Sequence, residues 1–353
     1  MPASVATLLT IVVAAALVTG FLFLSGRAYL LPGLPASPTP AAALSGTVGR
    51  SPAGTYWGAF LPGADQDQSI VSKFTSDVGR QPAIVSMYQQ WAGEPSFPTT
   101  FARWLADRGT VPLVAWEPWQ PGGVVQPAYR LSVIAAGGLD SYVRRYADQV
   151  RAYAGPLFLE TLHEMNGNWY PWGGTVNGNT PADYVAAWRH LHDVFRQEGA
   201  TNVTWTWTPN GETVPDTAAN QPERYWPGAQ YVDWVGVDSY NWGASAHTQW
   251  RTFAEMFDAN VTALSTFGKP IILAETASVE RGGDKAAWIT ALFQTLTGAD
   301  RDAVSGVIWF DKAIPGFDWH TNTSAASQAA FNAGVARPGM LSARQLRFSS
   351  KSG

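Results

Sequence analysis

From residue 55 onward the chain alternates short apolar or aromatic runs with amphipathic stretches. The runs at 55–62 (TYWGAFLP), 82–91 (PAIVSMYQQW), 111–119 (VPLVAWEPW), 156–165 (PLFLETLHEM), 203–210 (VTWTWTPN), 232–241 (VDWVGVDSYN), 270–277 (PIILAETA) and 304–312 (VSGVIWFDK) have the length and the β-branched and aromatic content of buried strands. Between them, 139–154, 181–198 and 248–267 repeat apolar residues at helical spacing, and Pro181 suits a first helical turn. Eight strand-and-helix units predict a parallel α/β domain. No strand is followed by a Gly-rich phosphate loop of GxGxxG or Walker type, so a nucleotide-binding open sheet lacks support. The pattern predicts one (β/α)8 TIM barrel over 53–336, with a polar tail at 337–353.

The beginning of the chain breaks this alternation. Residues 2–26 carry no charge, and 8–24 (LLTIVVAAALVTGFLFL) is a near-continuous apolar run. Its length matches the ~17 to 25 residues that a spanning helix needs. Segment 1–30 therefore reads as a signal anchor or transmembrane segment, followed at 31–52 by a Pro/Ala/Ser-rich linker. A positive n-region is missing and the nearest small-residue cleavage pattern, 41–43, is far from the run, which favours an uncleaved anchor over a cleaved signal. The expected location of the barrel is extracytoplasmic, membrane-anchored or secreted, although the lone Arg27 on the C-terminal side pulls the other way under the positive-inside rule.

Composition narrows the chemistry. Hydrophobic residues make up 46% and charged residues 14%, enough for a large core. A net charge of −4 without a basic run argues against a nucleic-acid partner. The absence of Cys excludes disulfides, thiolate metal sites and a Cys nucleophile. Five His residues include no HxH at a strand end, and His190 and His192 sit two apart in a helix, so a metal-dependent hydrolase is disfavoured and no metal or cofactor is expected. A monomer is expected. Seventeen Trp residues exceed what a core of this size needs.

In a barrel, chemistry sits at the C-terminal strand ends, and Trp116, Glu117, His163, Glu164, Asn210, Asp238, Tyr240, Glu275, Trp309 and Asp311 all fall there. Glu164 and Glu275 stand out. They are 111 residues apart (275 − 164), three repeats of about 37, which places them on the fourth and seventh strands, nearly opposite across the mouth. One Glu at a strand end reads as a surface charge; two, each inside an apolar run, read as a pair able to flank one bond. Glycoside hydrolysis uses such a pair, with one carboxyl protonating the leaving oxygen and the other attacking the anomeric carbon or activating water.

The neighbouring motifs HEMNGNWYPWG (163–173), GVDSYNWG (236–243) and ILAETAS (272–278) resemble family 26 glycoside hydrolases, the β-mannanase family of a retaining barrel clan. The resemblance implies Glu164 as acid/base, Glu275 as nucleophile, His163 helping to bind and orient the sugar, Tyr240 holding Glu275, and Trp309 as a platform under the sugar. It implies a β-linked polysaccharide substrate, β-mannan, β-glucan or similar. The family usually carries Arg three residues before the His; here that position is Glu160, so either another cation compensates or activity is altered.

Trp116, Trp119, Trp169, Trp172 and Trp242 flank Pro, Gly or Asn in loop-like sequence and are candidates for stacking on sugar rings, whereas Trp205 and Trp207 alternate on a strand and read as core. Glu117 and Asp238 are candidates either for sugar hydroxyls or for backbone donors. The rival reading is a non-catalytic carbohydrate-binding barrel of the cell surface, favoured by Glu160 alone.

Overall fold

The computed structural model describes residues 46–245, 248–298 and 304–349. Eight parallel strands form the barrel: β1 Thr55–Phe60, β2 Ile84–Gln90, β3 Val111–Glu117, β4 Leu157–Thr161, β5 Val203–Trp207, β6 Trp234–Asn241, β7 Ile271–Ser278 and β8 Val304–Phe310. Each pairs with the next, and β1 pairs with β8 from Tyr56↔Gly306 to Phe60↔Phe310, which closes the sheet. The helices are α1 Ser69–Val78, α2 Thr99–Asp107, α3 Leu131–Ala135, α4 Asp140–Tyr153, α5 Pro181–Gln197, α6 Phe253–Ser265, α7 Lys285–Thr297 and α8 Ala325–Val335. The expected (β/α)8 barrel is thus present.

Closure explains why the strands read as continuous apolar runs. One face of each strand fills the barrel and the other meets the helices, so both faces are covered. β1, β3, β4, β5, β7 and β8 are buried at every position. Trp205 packs on Trp188 and Phe195 of α5, and Trp207 on Trp226 and Phe267, as core residues of the layer between barrel and helices. Helix starts follow local chemistry. Thr180 caps α5 reciprocally with Asp183, with Pro181 in the first turn, and Thr252 caps α6 with Glu255. That second box is why α6 begins at Phe253 and not at 248.

The barrel domain takes in sequence on both sides of 53–336. Thr47–Gly49 pairs antiparallel with Arg347–Ser349, and Met340–Leu341 adds beside the start of β1. The Val48 N–H donates to Thr204 Oγ1 (2.8 Å) and the Trp234 indole N–H to the Val48 carbonyl (2.9 Å), so this ribbon lies against the starts of β5 and β6, at the end opposite the mouth. The apolar segment at 1–30 lies outside the described residues. Among the described residues no helix is long and apolar enough to cross a membrane.

Candidate active site

The fourth strand ends earlier than its sequence pattern. β4 stops at Thr161, and the buried turn that follows is apolar enough to read as strand. Leu162 and Glu164 both take φ of 53°, a left-handed conformation unusual for residues with a side chain. The turn is held by the Glu164 N–H donating to the Thr208 carbonyl (2.7 Å) at the end of β5. Asn210 Nδ2 donates to one Glu164 oxygen (2.7 Å) and Trp169 Nε1 to the other (2.5 Å). Asn166 fixes that partner: its Nδ2 donates to the Asn210 carbonyl (2.9 Å) and its Oδ1 accepts the Asn210 N–H (2.8 Å). Gly167 makes room, since a Cβ there would lie 2.4 Å from the Trp169 ring.

Glu275 stands on β7 in register with Asp238 on β6, beside a bulge at Val237/Asp238. Tyr88 donates its hydroxyl to one Glu275 oxygen and Tyr240 to the other. Tyr240 was expected; Tyr88 was not identified from sequence. Its signal was present, because Tyr88 and Gln90 alternate on the cleft-facing side of β2. Burial pushes the Tyr88 phenol well up, so it remains a donor.

Burial dominates the electrostatics. Glu164 is raised by desolvation, against the lowering effect of Asn210 and Trp169. Glu275 is raised by desolvation and then by the charge of Glu164, against its bond from Tyr88. Desolvation also lifts Glu117 to about 7 and Glu160 to about 8, and depresses His163 to about 3. Glu160 therefore does not add a third charge at neutral pH: Thr208, not a cation, lies beside it, and its carboxyl is held in the neutral acid form by burial. Lys312 is the one cation lining the cleft among the described residues. His163, Asp238 and Glu275 each bring one possible ligand atom within 4.8 Å of the others. Both Glu275 oxygens already accept tyrosine hydroxyls, which fits a carboxylate kept for covalent or proton chemistry better than a metal ligand.

The cleft has a volume of about 630 Å³. Glu164, Glu275, Glu117, Asn210, Tyr240, Trp169 and Trp242 all line it, as expected, and Trp119 does too. Five expected residues do not. Trp116 lies beneath the rim, stacked on Tyr146 at 4.6 Å, because its side chain points to the helix layer. Trp172 is fully buried, stacked on Tyr170 at 4.3 Å with its N–H on the His163 carbonyl (2.6 Å); it supports the loop and presents no face to a ligand. Trp309 faces outward against Trp288 and Phe331 and is not a platform. The cleft positions belong instead to its neighbour Phe310 and to Trp319, whose carbonyl accepts the Trp309 N–H (2.9 Å). His163 is buried under Tyr170 and Trp172, 3.9 Å from Glu117, and supports the site from below without reaching the cleft. Asp238 is fully buried beneath the cleft, beside the Glu275 backbone, and does not line it; desolvation pushes its carboxyl well above the usual range.

A closed barrel with two glutamates in one aromatic-walled mouth defines the class of barrels built around a paired-carboxylate site. Residues 135–295 match the model of glycosyl hydrolase family 26. The chain is 34% identical over 293 residues to endoglucanase H of Acetivibrio thermocellus, covering 82% of this chain and 31% of that one. It is 26% identical over 147 residues to a mannan endo-1,4-β-mannosidase of Bacillus subtilis, covering 39% of this chain and 36% of that one. The chain thus spans about a third of the length of these relatives. Among solved structures, a family 26 β-mannanase from Bacteroides ovatus superposes with a TM-score of 0.63 at 20% identity, over 83% of this chain and 91% of that one. This chain carries a glycosyl hydrolase family 26 domain.

Proposed function

We propose that the barrel is a retaining glycoside hydrolase that cleaves a β-linked polysaccharide, β-mannan or β-glucan, by double displacement, with Glu275 as nucleophile and Glu164 as acid/base. The observation that carries this reading is the contrast between the two carboxyls. Both oxygens of Glu275 accept phenolic O–H groups, which stabilise and aim an anion. Glu164 accepts an amide and an indole N–H instead, and desolvation raises both carboxyls, so the pair can hold the proton that the acid of the mechanism must deliver. The names of the relatives, an endoglucanase and mannan endo-1,4-β-mannosidases, support the substrate class.

Attack by Glu275 on the anomeric carbon would break the glycosidic bond as Glu164 delivers its proton to the departing oxygen; water, deprotonated by Glu164, then releases the sugar. Glu275→Ala should be nearly inactive on every substrate. Glu164→Ala should lose roughly 100- to 10,000-fold on polysaccharide yet still accumulate a covalent glycosyl-enzyme from an activated aryl glycoside, whose leaving group needs no proton. Identical behaviour of the two variants on both substrates, read by burst kinetics and mass spectrometry, would overturn the roles.

An extracytoplasmic barrel, anchored through segment 1–30 or secreted, completes the proposal. It is supported by the charge-free run at 2–26. Cell fractionation should find the protein in membranes or medium, and a soluble cytoplasmic pool would refute it.

A further inference from the structure

Lys285, the first residue of α7, is placed against two penalties. It is fully buried, where an ammonium loses its water, and it stands at a helix N-terminus, whose dipole repels a cation. Its Nζ donates to the His320 carbonyl (2.7 Å) and to Thr323 Oγ1 (2.9 Å), and lies 5.7 Å from the Trp309 ring centroid. Thr323 donates its own hydroxyl to Glu280 (2.7 Å), which also accepts the Ser327 hydroxyl (2.7 Å) from the first turn of α8. Burial lowers Lys285 to about 8, and Glu280, Asp318 and Asp311 oppose that shift, so it is an ammonium at neutral pH. A cation kept in so unfavourable a place, outside the bond-breaking step, points to what it holds.

What it holds is the segment between β8 and α8. This segment runs out as a short hairpin, Ala313–Ile314 paired with Phe317–Asp318, and returns through Trp319. Lys312, Ile314 and Trp319 of the segment line the cleft. Trp319 is fixed through the backbone: its N–H donates to the Lys312 carbonyl (3.0 Å), its carbonyl accepts the Trp309 indole N–H (2.9 Å), and the next carbonyl, that of His320, accepts Lys285. The Thr321 N–H donates to Asp311 (2.7 Å). The Trp319 ring in turn backs Tyr240, with centroids 5.1 Å apart, and Tyr240 donates its hydroxyl to Glu275. A continuous path of contacts therefore runs from Lys285 through Trp319 and Tyr240 to the Glu275 carboxylate.

We propose that Lys285 is a positioning residue for the nucleophile: by clamping the His320 carbonyl and Thr323 it seats Trp319 against Tyr240, and so aims the Tyr240 hydroxyl at Glu275. The role of Glu275 rests on the glycoside hydrolase reading; the clamp does not. The Tyr240 hydroxyl favours the charged form of Glu275. Loosening the clamp should therefore raise the Glu275 pKa and slow its attack, without removing any group that touches the sugar.

The test compares the parent with Lys285→Met, which keeps a long apolar side chain but has no donor, and with Thr323→Val, which removes one anchor at a half-buried position. Circular dichroism and melting temperature check that each variant is folded. On the polysaccharide, kcat of Lys285→Met should fall about tenfold, within what a small misplacement of reacting groups costs. The acid limb of its pH–rate profile should move upward by up to about one unit, as weakening of one hydrogen bond to a charged group allows. Thr323→Val should move both in the same direction by less. A merely structural residue would lower the melting temperature and leave the limb in place. Tyr240→Phe separates the path of contacts from a simple loss of positive charge. In that background Lys285→Met should shift the limb no further, whereas a charge acting through space would add its full shift. An unmoved limb in both variants, or a shift that adds to that of Tyr240→Phe, would overturn the proposal. If Lys285→Met does not fold, Thr323→Val and its combination with Tyr240→Phe decide alone. Hydrogen exchange gives a measurement independent of turnover: in the folded variants it should quicken in 311–324 and also in 236–243, and quickening confined to 311–324 would refute the path. If the parent hydrolyses no glycoside, the glycosidase reading fails, while hydrogen exchange still decides the clamp.

Discussion

The tryptophans of the cleft and those of the belt between barrel and helices are the same residue in two kinds of work. Away from the cleft, four tryptophans of the belt, the loop over His163 and the barrel floor give the indole N–H to main-chain carbonyls: Trp309 to Trp319, Trp188 to Tyr231, Trp172 to His163, Trp234 to Val48. In the cleft it goes to carboxylates: Trp169 to Glu164 and Trp119 to Glu117. Belt tryptophans hold the backbone in place. Cleft tryptophans hold charge in place, and so act on pKa as well as on shape. Trp309 and Phe310 make the contrast within two residues, one facing Trp288 and Phe331, the other the cleft.

The comparison breaks most sharply at Trp309. Trp309→Ala removes a fully buried ring and should cost about 3 to 5 kcal/mol of stability, measured from the denaturant midpoint. The activity of the fraction that remains folded should be reduced only as far as Trp319 is displaced. Full stability with lost binding would return Trp309 to the cleft.

A second effect, read in the pH dependence of stability, is expected where charge rather than packing is at stake. Glu160 is neutral in the fold up to about pH 8 but titrates near the ordinary value of 4.5 when unfolded. The folded state therefore binds more protons between these values. The stability this contributes is complete below pH 4.5 and declines as pH rises to 8. Glu117, raised to about 7, adds to the same trend. Glu160→Gln, which cannot ionise, should flatten the fall of melting temperature over that window, and an unchanged slope would mean that Glu160 is not the buried acid described.

The finest test lies at Trp169. Trp169→Phe keeps a ring but removes the N–H that lowers the Glu164 pKa, so that pKa should rise. The alkaline limb of the pH–rate profile on polysaccharide should move upward by up to about one unit, as loss of one hydrogen bond to a charged group allows. Thermal stability should hardly change. A limb that stays put would place Trp169 with the belt tryptophans despite its position.

How much of this was legible beforehand depends on how local each cause is. Strand spacing and helix caps are written in neighbouring residues, so eight strands, Pro181 opening α5 and the pairing of Glu164 with Glu275 could be read directly. Tyr88 was within reach too, by the period-2 alternation it shares with Gln90. The fate of each aromatic was not. Trp172 sits among Pro and Gly, as an exposed loop residue would, yet its loop folds back over His163 and hides it.

The sequence by itself determined the repeating strand-and-helix order, the two glutamates three repeats apart and the aromatic wealth around them, because all of these depend on spacing along the chain. Only the tertiary structure decided which of Trp309 and Phe310 looks into the cleft, because the barrel's closure between β1 and β8 sets which strand face points inward. It alone made Glu160 a neutral acid, because the water that would hold its charge is excluded by strands and side chains brought in from the whole length of the barrel.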